Sequence, residues 1–300
     1  SLPGVRNTVE IDGVDYTTTK DATKLKTDKN GTSLVAGGVS LDGGATPKES
    51  IIVNNTEITN YGDSNSNINV SVNGTNTDFT VSPGGSFGMS VPGDADSEVL
   101  FTNPSREDEA EYTMSSDGKI KVENESEIEF TTSAGEKVKV SASASDDAID
   151  TTEADVDLKI TQDGVELSAP AGTDININGT KYENTGENEE LVLVVDKNGK
   201  PVLKDGTVTV PEGAELILPT DANGNSGSAV KAEGGPVTVE GNKVTVPNAP
   251  TTVSITSADG KSSNSYTTKG DGVEITCDPA KDTPQLTEGS VELSKNSSIE

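Results

Sequence analysis

The 300-residue chain has no histidine and no tryptophan, one cysteine, and aromatic residues at only 3% of positions. Arginine occurs at Arg6 and Arg106 alone. Each absence removes a class of chemistry. Without histidine, the commonest general base and the commonest metal ligand are gone. A single Cys277 allows neither an intrachain disulfide nor a thiolate metal cage, and with no histidine it has no partner to make it a nucleophile. Long apolar runs are missing as well, so neither a membrane-spanning helix nor a signal-peptide core is expected. The chain opens on Ser1 rather than Met, which reads as a processed secreted protein or an excerpt of one.

Positive charge is scarce: 51 acidic residues face 22 basic ones, a formal charge of -29. Such a surface repels phosphate backbones, which need Lys and Arg to displace counterions. Nucleic acid is therefore not an expected partner, and neither is membrane insertion. The charge reads as a solubilising coat on a secreted protein. Hydrophobic residues make up 30% of the chain. They are gathered in short alternating runs, such as Ile68-x-Val70-x-Val72, whose period of two puts one face of a strand toward a core. Helix is nearly absent from the pattern. The best candidate, Pro104 to Met114, has scattered apolar partners and reads as a loop with a single turn.

Two phrases recur. Ile11-x-Gly13-x-x-Tyr16 answers Ile177-x-Gly179-x-x-Tyr182, and Asp28-Lys29-Asn30-Gly31 answers Asp196-Lys197-Asn198-Gly199 letter for letter. Gly38-Val39 then aligns with Gly206 and Val208, and Gly44-Ala45 with Gly213-Ala214. Repetition of this kind marks a chain built from supersecondary units. Asn-Gly flanked by alternating residues predicts hairpins at both places, with Asn and Gly as the central pair. The second phrase is a strand, a Pro/Ala–Gly corner and another strand. Its corners lie at 82–85, 133–135, 170–172, 211–213 and 247–250.

The composition predicts an all-β protein with two architectures in view. A β-solenoid-like repeat protein suits the scarce aromatics and the Pro-x-Gly corners. Tandem bacterial Ig-like β-sandwiches are the alternative, although their cores usually hold a large aromatic. An N-terminal β repeat region over 1–145, an acidic connector over 146–157 (DDAIDTTEADVD within it) and a C-terminal β repeat region over 158–300 are the expected divisions.

Resemblance points the same two ways. GTVTVPEGAELIL (206–218) resembles the strand-corner-strand phrases of secreted bacterial β-helix surface proteins, including autotransporter passengers. DKNGKPV followed by TDANGNSGSAVKA, within 191–255, resembles bacterial Ig-like domains of invasin and intimin adhesins. Both resemblances imply a non-enzymatic extracellular protein of the bacterial cell surface, structural or adhesive. They allow a self-assembling filament or stalk subunit. The alternative is a carbohydrate-binding module or a non-catalytic part of a polysaccharide-active enzyme.

No catalytic, cofactor-binding or metal-binding residues are expected. Calcium is the one cofactor worth weighing. Asp63-x-Asn65-x-Asn67, Asp94-x-Asp96-x-Glu98 and Asp221-x-Asn223-Gly224-Asn225 have the oxygen spacing that opens a calcium loop but lack its glycine and closing Glu. Asp and Asn are expected in turns without a metal. Acidic pairs suited to glycoside cleavage are abundant by chance among 51 carboxylates. Sugar platforms would have to come from Tyr16, Tyr61, Tyr112, Tyr182 or Tyr266; Tyr16 and Tyr182 occupy equivalent repeat positions, which suggests packing. The expected partners are a further copy of the chain, head to tail, and a cell-surface or glycan ligand.

Overall fold

The computed structural model describes the chain except residues 1, 3, 146–153, 187–188, 221–226, 280, 282 and 300. The acidic stretch 146–153 and the fragment at 221–225 thus lie outside the described residues. Every regular element among the described residues is a β-strand, and the strands fall into two sheets of 16 and 15 strands.

The chain visits the sheets in turn. β1 (Thr8–Ile11) and β2 (Val14–Thr18) lie in the first sheet, β3 (Lys24–Asp28) and β4 (Gly31–Ala36) in the second. The lone β5 (Gly38–Asp42) returns to the first, and β6 (Ser50–Val53) and β7 (Thr56–Asn60) belong to the second. One hairpin per visit follows. β8 (Asn67–Asn73) and β9 (Asn76–Val81) are in the first sheet, β10 (Ser86–Val91) and β11 (Asp94–Thr102) in the second. β12 (Ala110–Met114) and β13 (Lys119–Val122) are in the first, β14 (Glu127–Thr131) and β15 (Lys137–Ala144) in the second. β16 (Val156–Thr161) and β17 (Gly164–Ala169) are in the first, β18 (Thr173–Ile177) and β19 (Thr180–Asn184) in the second. β20 (Leu191–Val195) and β21 (Pro201–Asp205) lie in the first, and the lone β22 (Thr207–Val210) in the second. β23 (Glu215–Ile217) and β24 (Ala229–Glu233) are in the first, β25 (Val237–Glu240) and β26 (Lys243–Val246) in the second. β27 (Thr252–Thr256) and β28 (Ser263–Thr268) are in the first, β29 (Val273–Thr276) and β30 (Gln285–Glu288) in the second, and the lone β31 (Val291–Leu293) in the first.

Two compact units emerge. The first holds 1–121, 129–138 and 157–165; the second holds 122–128, 139–156 and 166–300. All four phenylalanines of the chain pack in the first unit as one run. Phe87 stacks on Phe101 with centroids 5.0 Å apart, Phe79 on Tyr112 at 4.9 Å, and Phe79 meets Phe87 edge-on at 5.6 Å across the two sheets. Phe130 closes the run at 5.9 Å from Phe101. Such pairs add about 0.5–1.5 kcal/mol each beyond the area they bury. The second unit has an aliphatic core instead. All five residues of β20 (LVLVV) are buried, and Val, Ile and Leu at alternate positions of β22, β25, β26 and β27 are sealed from solvent.

The repeat of the sequence is a repeat of geometry, and it occurs three times. The hairpins β3–β4, β20–β21 and β29–β30 each carry a bulge at the same place: Leu34/Ala36, Leu203/Asp205 and Leu286/Glu288 pair in succession while Val35, Lys204 and Thr287 are skipped. A bulge sharpens the local twist and ends the pairing. A glycine follows each one: Gly37, Gly206 and Gly289, with φ of 83°, 91° and 84°. A Cβ here would strike the residue that opens the hairpin, lying 2.5 Å from Thr23 Cα, 3.0 Å from Leu191 Cα and 3.2 Å from Val273 Cα. Only glycine supplies both the left-handed turn and the room. The lone strand β5, β22 or β31 then crosses to the opposite sheet. Successive copies exchange sheets, since β2 is in the first, β19 in the second and β28 in the first.

A tyrosine staples each copy. Tyr16 on β2, Tyr182 on β19 and Tyr266 on β28 stand opposite Val9, Ile175 and Val253. Their hydroxyls donate to Ser50 O at 2.8 Å, Glu215 O at 3.0 Å and Ser298 O at 2.6 Å. Burial, above all, pushes the pKa of all three upward, so they remain donors.

Several sequence expectations need correcting. The bulge shifts the alignment by one, so the counterpart of Gly206 is Gly37 rather than Gly38. Hairpins form at both Asp-Lys-Asn-Gly phrases, but Asn-Gly is the central pair of neither. Lys29-Asn30 forms the first turn with Gly31 already paired to Asp28. In the second, Gly199 N donates to Asp196 O at 2.9 Å inside a wider loop. The turns with both central φ positive are Asp12-Gly13, Asn54-Asn55 and Asn178-Gly179. Of the five corners, four carry the chain from one sheet to the other, while 133–135 closes the β14–β15 hairpin within one sheet. Residues 110–114, expected as loop, form β12 because Tyr112 and Met114 alternate into the core opposite Phe79 and Thr77.

These glycines differ in what surrounds them, and that sets a test. Gly206→Ala should cost about 2–4 kcal/mol, combining left-handed strain with a clash against backbone. Gly213→Ala, also at positive φ but with nothing within 4 Å of its Cβ, should cost about 1–2 kcal/mol. Urea unfolding of both variants gives the ranking; equal losses would show that the close approach to Leu191 is not what selects glycine.

Candidate functional site

The carboxylates with calcium-loop spacing are used by their own turns. Asp63 Oδ1 accepts Asn65 N at 2.9 Å, and Asp63 O accepts the backbone and hydroxyl of Ser66. Asp94 Oδ1 accepts Asp96 N, and Asp94 O accepts Ser97 Oγ at 2.7 Å. Among the described residues, no group of three or more acidic or cysteine side chains is placed to hold a metal ion.

The most heavily used polar side chains are asparagines. Asn60, Asn103 and Asn184 are buried at the ends of second-sheet strands. Asn60 Nδ2 donates to Leu41 O at 2.8 Å. Asn103 Nδ2 reaches Val81 O at 3.1 Å and Asp108 O at 2.9 Å, and Asn184 Nδ2 reaches Pro170 O at 3.2 Å and Glu189 O at 3.1 Å. Their Oδ1 atoms accept from the backbone two residues on, at Gly62, Ser105 and Gly186. Each amide thus clips a strand end of one sheet to a strand end or corner of the other while shaping its own turn. Sequence reading missed these residues. Their only signal is Asn-x-Gly/Ser after an alternating run, which a chain this rich in Asn, Gly and Ser repeats many times.

Two surface features lie in the first unit. A groove of about 250 Å³ runs along hairpin tips and is lined by Asp28, Asn30, Ser33, Ile52, Asn54 and Pro92. Its polar groups face their own backbone: Asp28 Oδ1 accepts Asn30 N, and Asn54 Nδ2 donates to Ser115 O at 2.8 Å. The other feature is Tyr61. Lys48 Nζ sits 4.4 Å from the ring centroid, and the hydroxyl donates to the Glu98 carboxylate at 2.7 Å. Gly88 lies beneath, where a Cβ would come 2.8 Å from the ring. Burial and the Glu98 hydrogen bond push the Tyr61 hydroxyl up to about 12. Of the tyrosines weighed as sugar platforms, Tyr16, Tyr182 and Tyr266 are sealed in the core, and Tyr112 stacks on Phe79. Tyr61 is half-buried.

Three buried groups complete the inventory. Burial pushes the Cys277 thiol up to about 12, which suppresses the reactive thiolate. Asp174 is sealed, with Oδ1 accepting Ser145 Oγ at 2.5 Å and Asn184 N at 2.9 Å, and Oδ2 lying 3.0 Å from Lys181 Nζ. Glu49 is 5% exposed and accepts Asp42 N at 2.6 Å. Burial raises its pKa, the Asp42 amide lowers it, and the charges of Asp42 and Asp15 raise it further. No protein-family model, no curated protein and no solved structure matches the chain.

Asn184→Ala should cost about 1–3 kcal/mol, because the part-buried carbonyls of Pro170 and Glu189 lose their donor and Gly186 N its acceptor. Asn184→Asp should be no better, since a carboxylate cannot donate. Chemical denaturation that found Asp equivalent to wild type would deny the clip its role. Glu49 gives a pH test. Its raised folded pKa means its contribution is full below the ordinary value of 4.5 and is lost as pH rises through the folded pKa. Glu49→Gln should therefore melt higher than wild type at pH 7, with the difference shrinking toward pH 4. A difference independent of pH would contradict the assignment.

Proposed function

We propose that the chain is a non-catalytic structural repeat protein of a bacterial cell surface, organised as a two-sheet, hairpin-built solenoid rather than as tandem sandwiches. The observation that carries this reading is the thrice-repeated bulge, glycine and tyrosine staple, with strands following sequence order in both sheets. Sandwich domains return strands by Greek-key connections, whereas repeat arrays add each unit beside the last. The polar side chains described above serve turns and clips, which is the economy of a scaffold. An extracellular setting rests on the acidic composition and on the resemblance to secreted surface proteins.

A second reading, carbohydrate binding, is favoured by one observation: the half-buried Tyr61, flanked by Lys48 and Glu98. Lys48 lies over the ring and Gly88 close beneath it, so a sugar would have to meet the polar rim of Lys48 and Glu98 rather than stack on the ring. Incubating the protein with plant, host and bacterial glycans should give no cleavage, and a glycan array should give no saturable signal. Saturable hits lost in Tyr61→Ala would replace the scaffold with a binding module. Cleavage abolished by one carboxylate substitution would replace it with an enzyme.

A further inference from the structure

Two connections between the sheets run side by side in the first unit. Residues 43–49 carry the chain from β5 to β6, and residues 61–66 carry it back from β7 to β8. They are closely fitted. Gly43 N donates to Ser66 O at 2.8 Å, and Gly44 N to Gly62 O at 2.9 Å. A Cβ on Gly43 would strike Asp63 O, and one on Gly44 would come 2.9 Å from Ser64 N. Asn60 ties both to the strands, its N donating to Glu49 O and its Nδ2 to Leu41 O.

One side chain closes the first connection on itself. β2 and β5 pair Thr17 with Ser40 and Thr18 with Val39. Two residues beyond Ser40, Asp42 N donates to Glu49 Oε2 at 2.6 Å. The Glu49 carboxylate, 5% exposed, thus joins the last residue of β5 to the residue before β6. Little else holds the connection, since Gly44, Thr46, Pro47 and Lys48 are exposed. Segments with few buried apolar contacts open locally while the rest of a fold persists.

The surroundings of Glu49 are acidic. Asp42 of β5 and Asp15 of β2 act on it through their charge, and Glu49 and Glu57 act in the same way on Tyr16 of β2. Glu57 of β7 accepts Ser50 Oγ at 2.7 Å, and Asp63 of the second connection accepts Asn65 N. The adjacent cation is directed elsewhere, with Lys48 Nζ over the Tyr61 ring. Ionised, Glu49 is a buried charge held by one amide against two facing carboxylates. Protonated, it keeps the Asp42 bond through its carbonyl oxygen and sheds the repulsion. Its folded pKa is raised, by burial first, so its contribution is full below 4.5 and is lost as pH rises through the folded value.

We propose that Glu49 is a proton-operated latch: protonated, it holds the 43–49 connection closed on 61–66, and ionised, it lets this pair of loops open while the sheets stay folded. Lys48 travels with the connection, so opening also withdraws it from Tyr61. The latch goes beyond the scaffold reading and does not depend on it. In the carbohydrate reading it would regulate the rim that a sugar meets.

Hydrogen exchange of the 300-residue chain, followed amide by amide by NMR and corrected for intrinsic rates, tests it. In wild type, protection of Asp42, Gly43 and Gly44 should fall as pH rises above 4.5, by about tenfold per unit at most, and level off once Glu49 is ionised. The ring resonances of Tyr61 should shift over the same range. Phe79 and Phe87, buried in the same unit, should keep their protection. Glu49→Gln should hold the three loop amides protected at every pH. Asp15→Asn removes one facing charge and leaves the Asp42 bond in place, so its loss of protection should be smaller and end at lower pH. Wild-type protection independent of pH, an equal fall in Glu49→Gln, or a parallel fall at Phe79 and Phe87 would overturn the latch.

Discussion

A carbonyl left at the end of a buried strand must find a donor, and this constraint organises the molecule. A chain that repeatedly leaves one sheet for the other interrupts its ladders at every passage. Each interruption strands backbone groups where water does not reach, at a cost of about 1–3 kcal/mol per unsatisfied group. The asparagine clips at Asn60 and Asn103 answer that demand at the buried carbonyls of Leu41 and Val81. Asn184 and the tyrosine staples at Tyr16, Tyr182 and Tyr266 hold part-buried carbonyls at corners and chain crossings. Small hydroxyls do the same at strand ends. Ser82 Oγ bridges both backbone groups of Asn67, and Thr268 Oγ1 bridges both of Thr251.

The same constraint explains the composition. The core is filled mostly by Val, Ile and Leu at alternate strand positions, and its few aromatics are the phenylalanine run about Phe79 and Phe87 with Tyr112, and the three staple tyrosines. Polarity is concentrated in Asn, Ser, Thr and Asp, the residues whose short side chains reach nearby backbone. On sheet faces the hydroxyls pair across strands, as Thr252 with Thr267 and Ser254 with Ser265. Such pairs lend register without apolar exposure. Histidine, arginine and cysteine have no part in this scheme, and their scarcity follows from it.

Much of the fold was legible in the sequence because strand alternation and Pro/Gly corners are local signals. The Ile-x-Gly-x-x-Tyr phrase led directly to two of the three staples. The third copy was not legible. Its hairpin has lost Asp-Lys-Asn-Gly and joins Thr276 to Gln285 by a longer loop. Only Tyr266, Gly289 and the bulge beside Leu286 preserve it, and a bulge has no residue signature apart from its skipped position. Val35, Lys204 and Thr287 share nothing chemically, because that position points to solvent and only the backbone cares. Asn-Gly misled for a related reason: where Gly follows a turn, pairing can begin at the glycine itself, as it does at Gly31. The clips at Asn60, Asn103 and Asn184 stayed hidden because burial, not spacing, separates them from the many asparagines in exposed turns.

The lone strand after each bulge has one more effect. A hairpin brings the chain back to the end of the sheet from which it started, while a single crossing strand leaves it at the other end. β5 and β22 therefore act as parity switches, each reversing which rim of the sheets the following turns occupy. Deleting one lone strand would leave every downstream hairpin able to form locally, yet its loops would emerge on the opposite rim. Variation along such an array can thus relocate a whole set of loops by gaining or losing about five residues, with no change to the hairpins that carry them.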